Sequence, residues 1–175
     1  LDWRTSGGPL VFNSIYTSEH YDARLEQPGW SAPGFDDSAW DGVMYRGAPS
    51  QRVTAQQTVP IRNVTQYRPR SVRKLDERSY LYDFGQNMAG VTKLRLRGEA
   101  GTQLRLIHAE RLREDGHADL SNIDVYFRPT DKDDLFQTDV VTLSGRDDEF
   151  MPRFNYKGFR YVEVVADRPV ELSAE

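Results

Sequence analysis

The stretch Val91–Glu110, VTKLRLRGEAGTQLRLIHAE, constrains the fold more than any other in this chain. Leu94, Arg95, Leu96 and Arg97 alternate apolar and cationic residues, and Gln103, Leu104, Arg105 and Leu106 repeat the pattern beyond the GEAG turn. Side chains of an extended strand point to opposite faces with period two, so each run buries one face and wets the other. Two such runs around a glycine-bearing turn predict a β-hairpin. YLYDF (80–84), DVVTL (139–143) and RYVEVV (160–165) are predicted strands rich in β-branched and aromatic residues, and PLVFNSIY (9–16) and GVMYR (42–46) are weaker ones. No segment keeps a helical period over three turns; IHAERLRED offers at most one turn. Short strands between turn clusters indicate an all-β fold, an antiparallel β-sandwich or jelly roll. A chain of 175 residues suits a single domain over 1–175, with GAPSQRVTAQQTVP (47–60) as its most loop-like connection.

Composition removes several functions. The net charge of −4 points away from nucleic acid, whose binders carry a basic excess. No apolar run approaches the ~20 residues of a membrane-spanning helix, so no membrane is expected as a partner. The absence of cysteine excludes disulfides and thiolate metal sites. LDWRTSGGPLVF does not read as a signal peptide, and the chain is expected to be a processed form or a piece of something longer.

Candidate chemistry is sparse. His108 and Glu110 stand two apart on a predicted strand and so share a face, which an ion could use, although a polar strand-face pair needs no ion. Asp83 leads into FGQNMAG, whose glycines at 85 and 90 suggest a bulge or tight loop. Arg62, Arg68, Arg70, Arg73, Lys74 and Arg78 form a basic run that is either a solvated face or a contact for an acidic, uronate-rich polysaccharide. No Gly-x-Ser-x-Gly elbow occurs. A glycosidase needs two carboxyl groups roughly 5–9.5 Å apart, and among 27 acidic residues such a pair arises by chance. The stretch YDARLEQPGWSAPGFDDSAW (21–40) sets carboxylates beside tryptophans, as a sugar site does. It reads equally as a surface turn capped by Asp36 or Asp37, with Trp40 in a core and Trp30 exposed.

YDFGQNMAGVTKLRLRGEAGTQLRLIHAERLREDG (82–116) followed by RFNYKGFRYVEV (153–164) closely resembles the β-sandwich region of bacterial α-L-rhamnosidases of glycoside hydrolase family 78. YDARLEQPGWSAPGFDDSAW and VPIRNV (59–64) resemble the same family upstream, so the likeness runs from about Trp3 to Val165. FDDSAW alone is also similar to sugar-binding domains attached to β-galactosidase relatives.

The resemblance implies that the catalytic acids lie on an (α/α)6 barrel beyond this region. The chain is therefore expected to be a non-catalytic accessory domain of an inverting enzyme acting on terminal α-L-rhamnosides. The barrel of the parent chain and a rhamnose-containing plant glycan are its expected partners, in the periplasm or outside the cell. The family's rhamnose-binding module, classed as carbohydrate-binding module family 67, holds sugar through calcium. Its pattern implies Asp22 and the Pro60 carbonyl as metal ligands, with Asp22, Trp30 and Trp40 at the sugar. Ala23 departs from that pattern, since it has no oxygen for a hard cation that takes six to eight. Calcium is accordingly expected to bind weakly, and Ala23→Asn to strengthen it. Two readings stand: a glycan-binding module, or a structural domain that packs against the barrel and shapes its entrance. A self-sufficient enzyme is a distant third.

Overall fold

A computed structural model describes residues 2–126 and 134–172. The chain gathers into two compact units, where the sequence reading treats 1–175 as one sandwich. The first comprises Leu1–Gly8 and Gln27–Gln66; the second comprises Pro9–Glu26 and Tyr67–Glu175.

In the first unit, strands β1 (Arg4–Thr5) and β4 (Asp41–Gly42) pair antiparallel, Arg4 opposite Gly42. Only Gly42 of the expected strand 42–46 lies in β4, and 43–66 has no regular element. None of the buried apolar residues of the described chain lies in this unit. Polar ties hold it instead. Gln27 Nε2 donates to the Gly7 carbonyl at 3.1 Å, and Gln27 Oε1 accepts from Trp40 Nε1 at 2.8 Å.

The second unit is the sandwich. Its strands are β2 (Leu10–Asn13), β3 (Glu19–Asp22), β5 (Ser71–Lys74), β6 (Ser79–Gly90), β7 (Leu94–Arg97), β8 (Gln103–Ala109), β9 (Arg111–Leu112), β10 (Ala118–Asp119), β11 (Thr138–Thr142), β12 (Asp147–Phe150) and β13 (Lys157–Ala166). A seven-stranded sheet runs β2-β3-β11-β8-β13-β6-β5. Its pairs are antiparallel except β3 with β11, which is parallel. A two-stranded ribbon, β7 with β12, supplies the facing layer. Leu96 and Phe150 of the ribbon share the core with Leu104, Leu106, Val141, Val162, Val164, Tyr80 and Tyr82 of the sheet. Burying a Leu or Phe side chain stabilises by about 1.5–3 kcal/mol, so this apolar contact is what joins the layers. Burial pushes the Tyr82 hydroxyl up to about 12.

The alternation is borne out residue by residue, with Leu96 and Leu104 inside and Arg95 and Arg97 outside. The hairpin is not. β7 pairs with β12, and β8 pairs with β11 and β13. The two leucine faces oppose each other across the core instead of lying side by side. The GEAG turn carries the chain from one layer to the other through Gly101, at φ +83°, whose N–H donates to the Leu143 carbonyl at 2.8 Å. IHAERLRED (107–115), which offers one helical turn at most, instead ends β8 and supplies β9, which forms a strand hairpin with β10 just beyond it. Its His117 Nδ1 lies 2.6 Å from the buried Glu163 carboxylate, which also accepts the Ala118 N–H at 2.7 Å. FGQNMAG, where a bulge or a tight loop leaving the strand is expected, stays inside the long strand β6 and breaks its register. Gly85 sits at φ +77°, and the register with β13 shifts between Phe159 and Tyr161. Among the described residues, no helix is long and apolar enough to cross a membrane.

Candidate carbohydrate and calcium site

Asp22 closes β3, opposite Thr142 of β11. The chain then turns into a short 3-10 turn, Ala23–Leu25, and Asp22 caps it by accepting the Arg24 N–H at 3.0 Å. Arg24 also folds back as a fork. Its Nε donates to Oδ1 at 2.9 Å and its Nη2 to Oδ2 at 2.6 Å. The side-chain hydrogen bond from Arg24 holds the Asp22 carboxyl below the usual carboxylate range. Ala23 is only 1% exposed. The neighbouring Tyr21 hydroxyl donates to Glu26, and burial followed by that carboxylate pushes it well above its ordinary value.

Around Asp22 this donor set does not fit a hard divalent cation. Both carboxylate oxygens already accept from a guanidinium, and the next residue faces inward without an oxygen. A metal taking six to eight oxygens would have to displace an arginine that matches a carboxylate in a two-point fork.

Trp30, Trp40 and Pro60 lie in the first unit, whereas Asp22 lies in the second. Trp30 follows Gly29, which takes φ +79°, and is 62% exposed. Trp40 is partly buried; its indole N–H goes to Gln27 and its ring packs 5.5 Å from Phe35. Asp36 caps the turn by accepting the Ser38 N–H at 3.0 Å, while Arg4 donates to the Asp37 and Ser38 carbonyls. This matches the reading of FDDSAW as a capped turn. Pro60 is exposed in the irregular stretch.

The other candidates are accounted for by structure. His108 is fully buried, with its ring edge-on to Phe159 at 4.9 Å. Its Nδ1 donates to the Gln137 carbonyl at 3.2 Å, which leaves Nε2 to accept from Thr92 Oγ1 at 2.7 Å. Burial, then the nearby Lys157 charge, pushes the imidazole down to about 3, so it is neutral. Glu110 instead accepts from Asn87 Nδ2 at 2.9 Å and Asn122 Nδ2 at 3.4 Å. Among the described residues no three His, Asp or Glu side chains converge as a metal site. The basic run is partly committed: Lys74 pairs with Glu171 at 2.7 Å, Arg73 donates to the Gly116 carbonyl at 3.1 Å, and Arg70 lies over Gly85.

Sequence reasoning passed over a buried polar cluster where β3, β11 and the start of β13 meet. Lys157 Nζ donates to Asp139 Oδ1 at 2.6 Å and Asn155 Oδ1 at 2.5 Å. Asp139 Oδ1 also accepts the Glu19 N–H at 2.9 Å. Glu19 Oε1 accepts the N–H groups of Arg153 and Phe154 at 2.8 and 2.5 Å. Burial pushes the Asp139 carboxyl up and the Lys157 ammonium down, and each charge opposes the shift of the other. The signal was present in the sequence. Asp139 and Val141 have the same parity in DVVTL, so a strand that buries Val141 also buries Asp139.

Comparison with known proteins bears on the family and the fold. Residues 73–174 match the family model for the bacterial α-L-rhamnosidase concanavalin-like domain, and residues 1–65 match that for the α-L-rhamnosidase N-terminal domain. An α-L-rhamnosidase of Streptomyces avermitilis is 41% identical over 167 residues, covering 93% of this chain and 15% of that protein. One from an Alteromonas species is 34% identical over 169 residues, covering 93% of this chain and 17% of that protein. Among solved structures, the α-L-rhamnosidase from Dictyoglumus thermophilum superposes with a TM-score of 0.83 at 36% identity, covering 98% of this chain and 19% of that one. The Streptomyces avermitilis α-L-rhamnosidase complexed with L-rhamnose gives 0.83 at 39% identity, covering 99% of this chain and 16% of that one. The chain thus spans about a sixth of the length of these curated relatives. With more than half of its residues in the concanavalin-like match, this chain belongs to the bacterial α-L-rhamnosidase family.

Proposed function

We propose that this chain is a non-catalytic accessory part of an inverting α-L-rhamnosidase that degrades rhamnose-bearing plant polysaccharide, and that its role is structural. The sandwich packs against the catalytic barrel of the parent and shapes its entrance. The observation that carries this reading is the closed state of Asp22, held in a two-point fork by Arg24 beside a buried Ala23. A carboxylate so occupied serves the turn that follows β3, not a bound ion. Calorimetric titration of this chain with L-rhamnose, with and without calcium, should give no heat of binding, and an aryl α-L-rhamnoside should not be turned over. Calcium-dependent rhamnose binding, or turnover abolished by changing one carboxylate of this chain, would overthrow it.

A second reading, a module that tethers the parent to its glycan, is favoured by the exposed ring of Trp30. An exposed aromatic face can stack on a sugar without any ion. Retention on a rhamnose-bearing glycan that Trp30→Ala removes would establish it over the structural reading.

A further inference from the structure

The two family matches divide the chain between residues 65 and 73, but the fold does not divide there. Residues 9–26 fall within the N-terminal match, yet they build β2 and β3, the last two strands at one edge of the concanavalin-like sheet. β3 lies parallel to β11, with His20, Tyr21 and Asp22 opposite Val140, Val141 and Thr142.

The seam is specific in chemistry as well as in backbone pairing. Thr17 Oγ1 donates to the Asp134 carboxylate, and Ser18 is fully buried. Glu19 is 2% exposed, and one of its two carboxylate oxygens, Oε1, accepts two backbone N–H groups of the loop between β12 and β13. Its own N–H goes to Asp139 Oδ1, to which the Lys157 ammonium also donates. Tyr21 reaches the core, 5.7 Å from the Phe150 ring. Without the segment, β11 would present an open edge, the Arg153 and Phe154 N–H groups would lose their acceptor, and the core would be uncovered beside Phe150. Buried donors without partners and open strand edges are both costly.

We propose that residues 9–26 act as a donor strand pair for the concanavalin-like domain, and that the domain carries a matching acceptor site. That site takes a β-hairpin with hydroxyls at 17 and 18, where its turn meets β3, a carboxylate at 19 and an aromatic ring at 21. The domain outlined by residues 73–174 is incomplete without it.

The test uses the whole chain with protease sites placed at Gly7–Gly8 and Pro28–Gly29, both exposed and outside the strands. After cleavage, the segment should remain with the rest of the chain through gel filtration, and the sandwich should keep one cooperative unfolding transition. A labelled synthetic peptide of residues 9–26 should exchange into the cleaved chain. The same peptide carrying Glu19→Ala should compete at least tenfold more weakly, and this readout does not require a Glu19 variant of the protein to fold. If the segment departs and the remainder unfolds or aggregates, the domain's dependence on it is supported. If it departs and the remainder keeps an unchanged transition, the proposal is overturned. Equal competition by the Glu19→Ala and native peptides would overturn the chemistry assigned to the site.

Discussion

Replacing Lys157 by methionine isolates the cost of the buried charge cluster. Methionine keeps most of the length and the apolar stem and removes the ammonium. In the native chain that ammonium donates to Asp139 at 2.6 Å and to Asn155 at 2.5 Å, with both partners buried. After the change, among the described residues, Asp139 keeps the Glu19 N–H as its donor on Oδ1, and its Oδ2 has no partner even before the change. Removing one member of a buried pair leaves a charge in a poorly polarisable site and typically costs about 3–5 kcal/mol. For a domain of this size, 1 kcal/mol moves the midpoint of thermal unfolding by about 2–4 °C, so a fall of about 6–20 °C is expected.

The sign of the pH dependence follows from burial, which pushes the Asp139 carboxyl up. A carboxyl with a raised folded value loses stability as pH climbs above its unfolded value of about 3.9, and it regains that stability when protonated. The deficit of the variant should therefore be largest near neutrality and shrink toward pH 4. Urea unfolding of both proteins at several pH values measures it. A variant within 1 kcal/mol of the native chain at pH 7, or a deficit independent of pH, would refute the account of a dehydrated pair.

His108, held down to about 3 by burial, should stay neutral while unfolded histidine takes a proton below about 6.5, so its contribution to stability declines as pH falls from 6.5 toward 3. Its ring nitrogen shifts in NMR should not move between pH 7 and 5, and titration near 6.5 would show the ring to be wet. Gly85→Ala places a side chain at φ +77° and a Cβ 2.3 Å from Arg70 Cδ, which should cost about 1 kcal/mol or more by urea unfolding, whereas a neutral change would show the bulge to be relaxed. Ala23→Asn introduces an amide at a position only 1% exposed, so it should destabilise by about 1–3 kcal/mol and confer no calcium-dependent rise in melting temperature; such a rise would revive the metal reading that the resemblance implies.

Strand positions were legible because alternation is a local property. Leu94 and Leu96 must share a face whatever lies beside them. Pairing was not legible for the same reason: alternation fixes which face is buried and says nothing about the neighbour. The GEAG turn looks the same whether it joins two strands of one sheet or crosses between layers. The parallel pairing of His20 with Val140 joins residues far apart in sequence and has no local signature at all. At the candidate site, the capped FDDSAW turn and the exposed Trp30 were readable from turn chemistry. The Arg24 fork was not, because nothing local in YDARLE marks where a strand gives way to a capped turn. The chain in fact leaves the sheet at Asp22, where the side chain caps the turn.

That departure point is set by local chemistry. β3 ends at Asp22 because a cap there turns the chain out of the sheet, and the cap works only while the carboxylate faces back onto the Arg24 N–H. One residue earlier, Tyr21 is committed to the core, and one residue later, so is Ala23. A side chain fixed between two buried neighbours has little freedom to swing toward a ligand. Arg24, by contrast, is exposed and outside the core. The oxygens of Asp22 are thus assigned first to ending the donor strand and only secondarily to anything that could displace an arginine. The same residue that the family likeness marks as a metal ligand is, in this chain, the stop that sets where the borrowed strand leaves the sandwich.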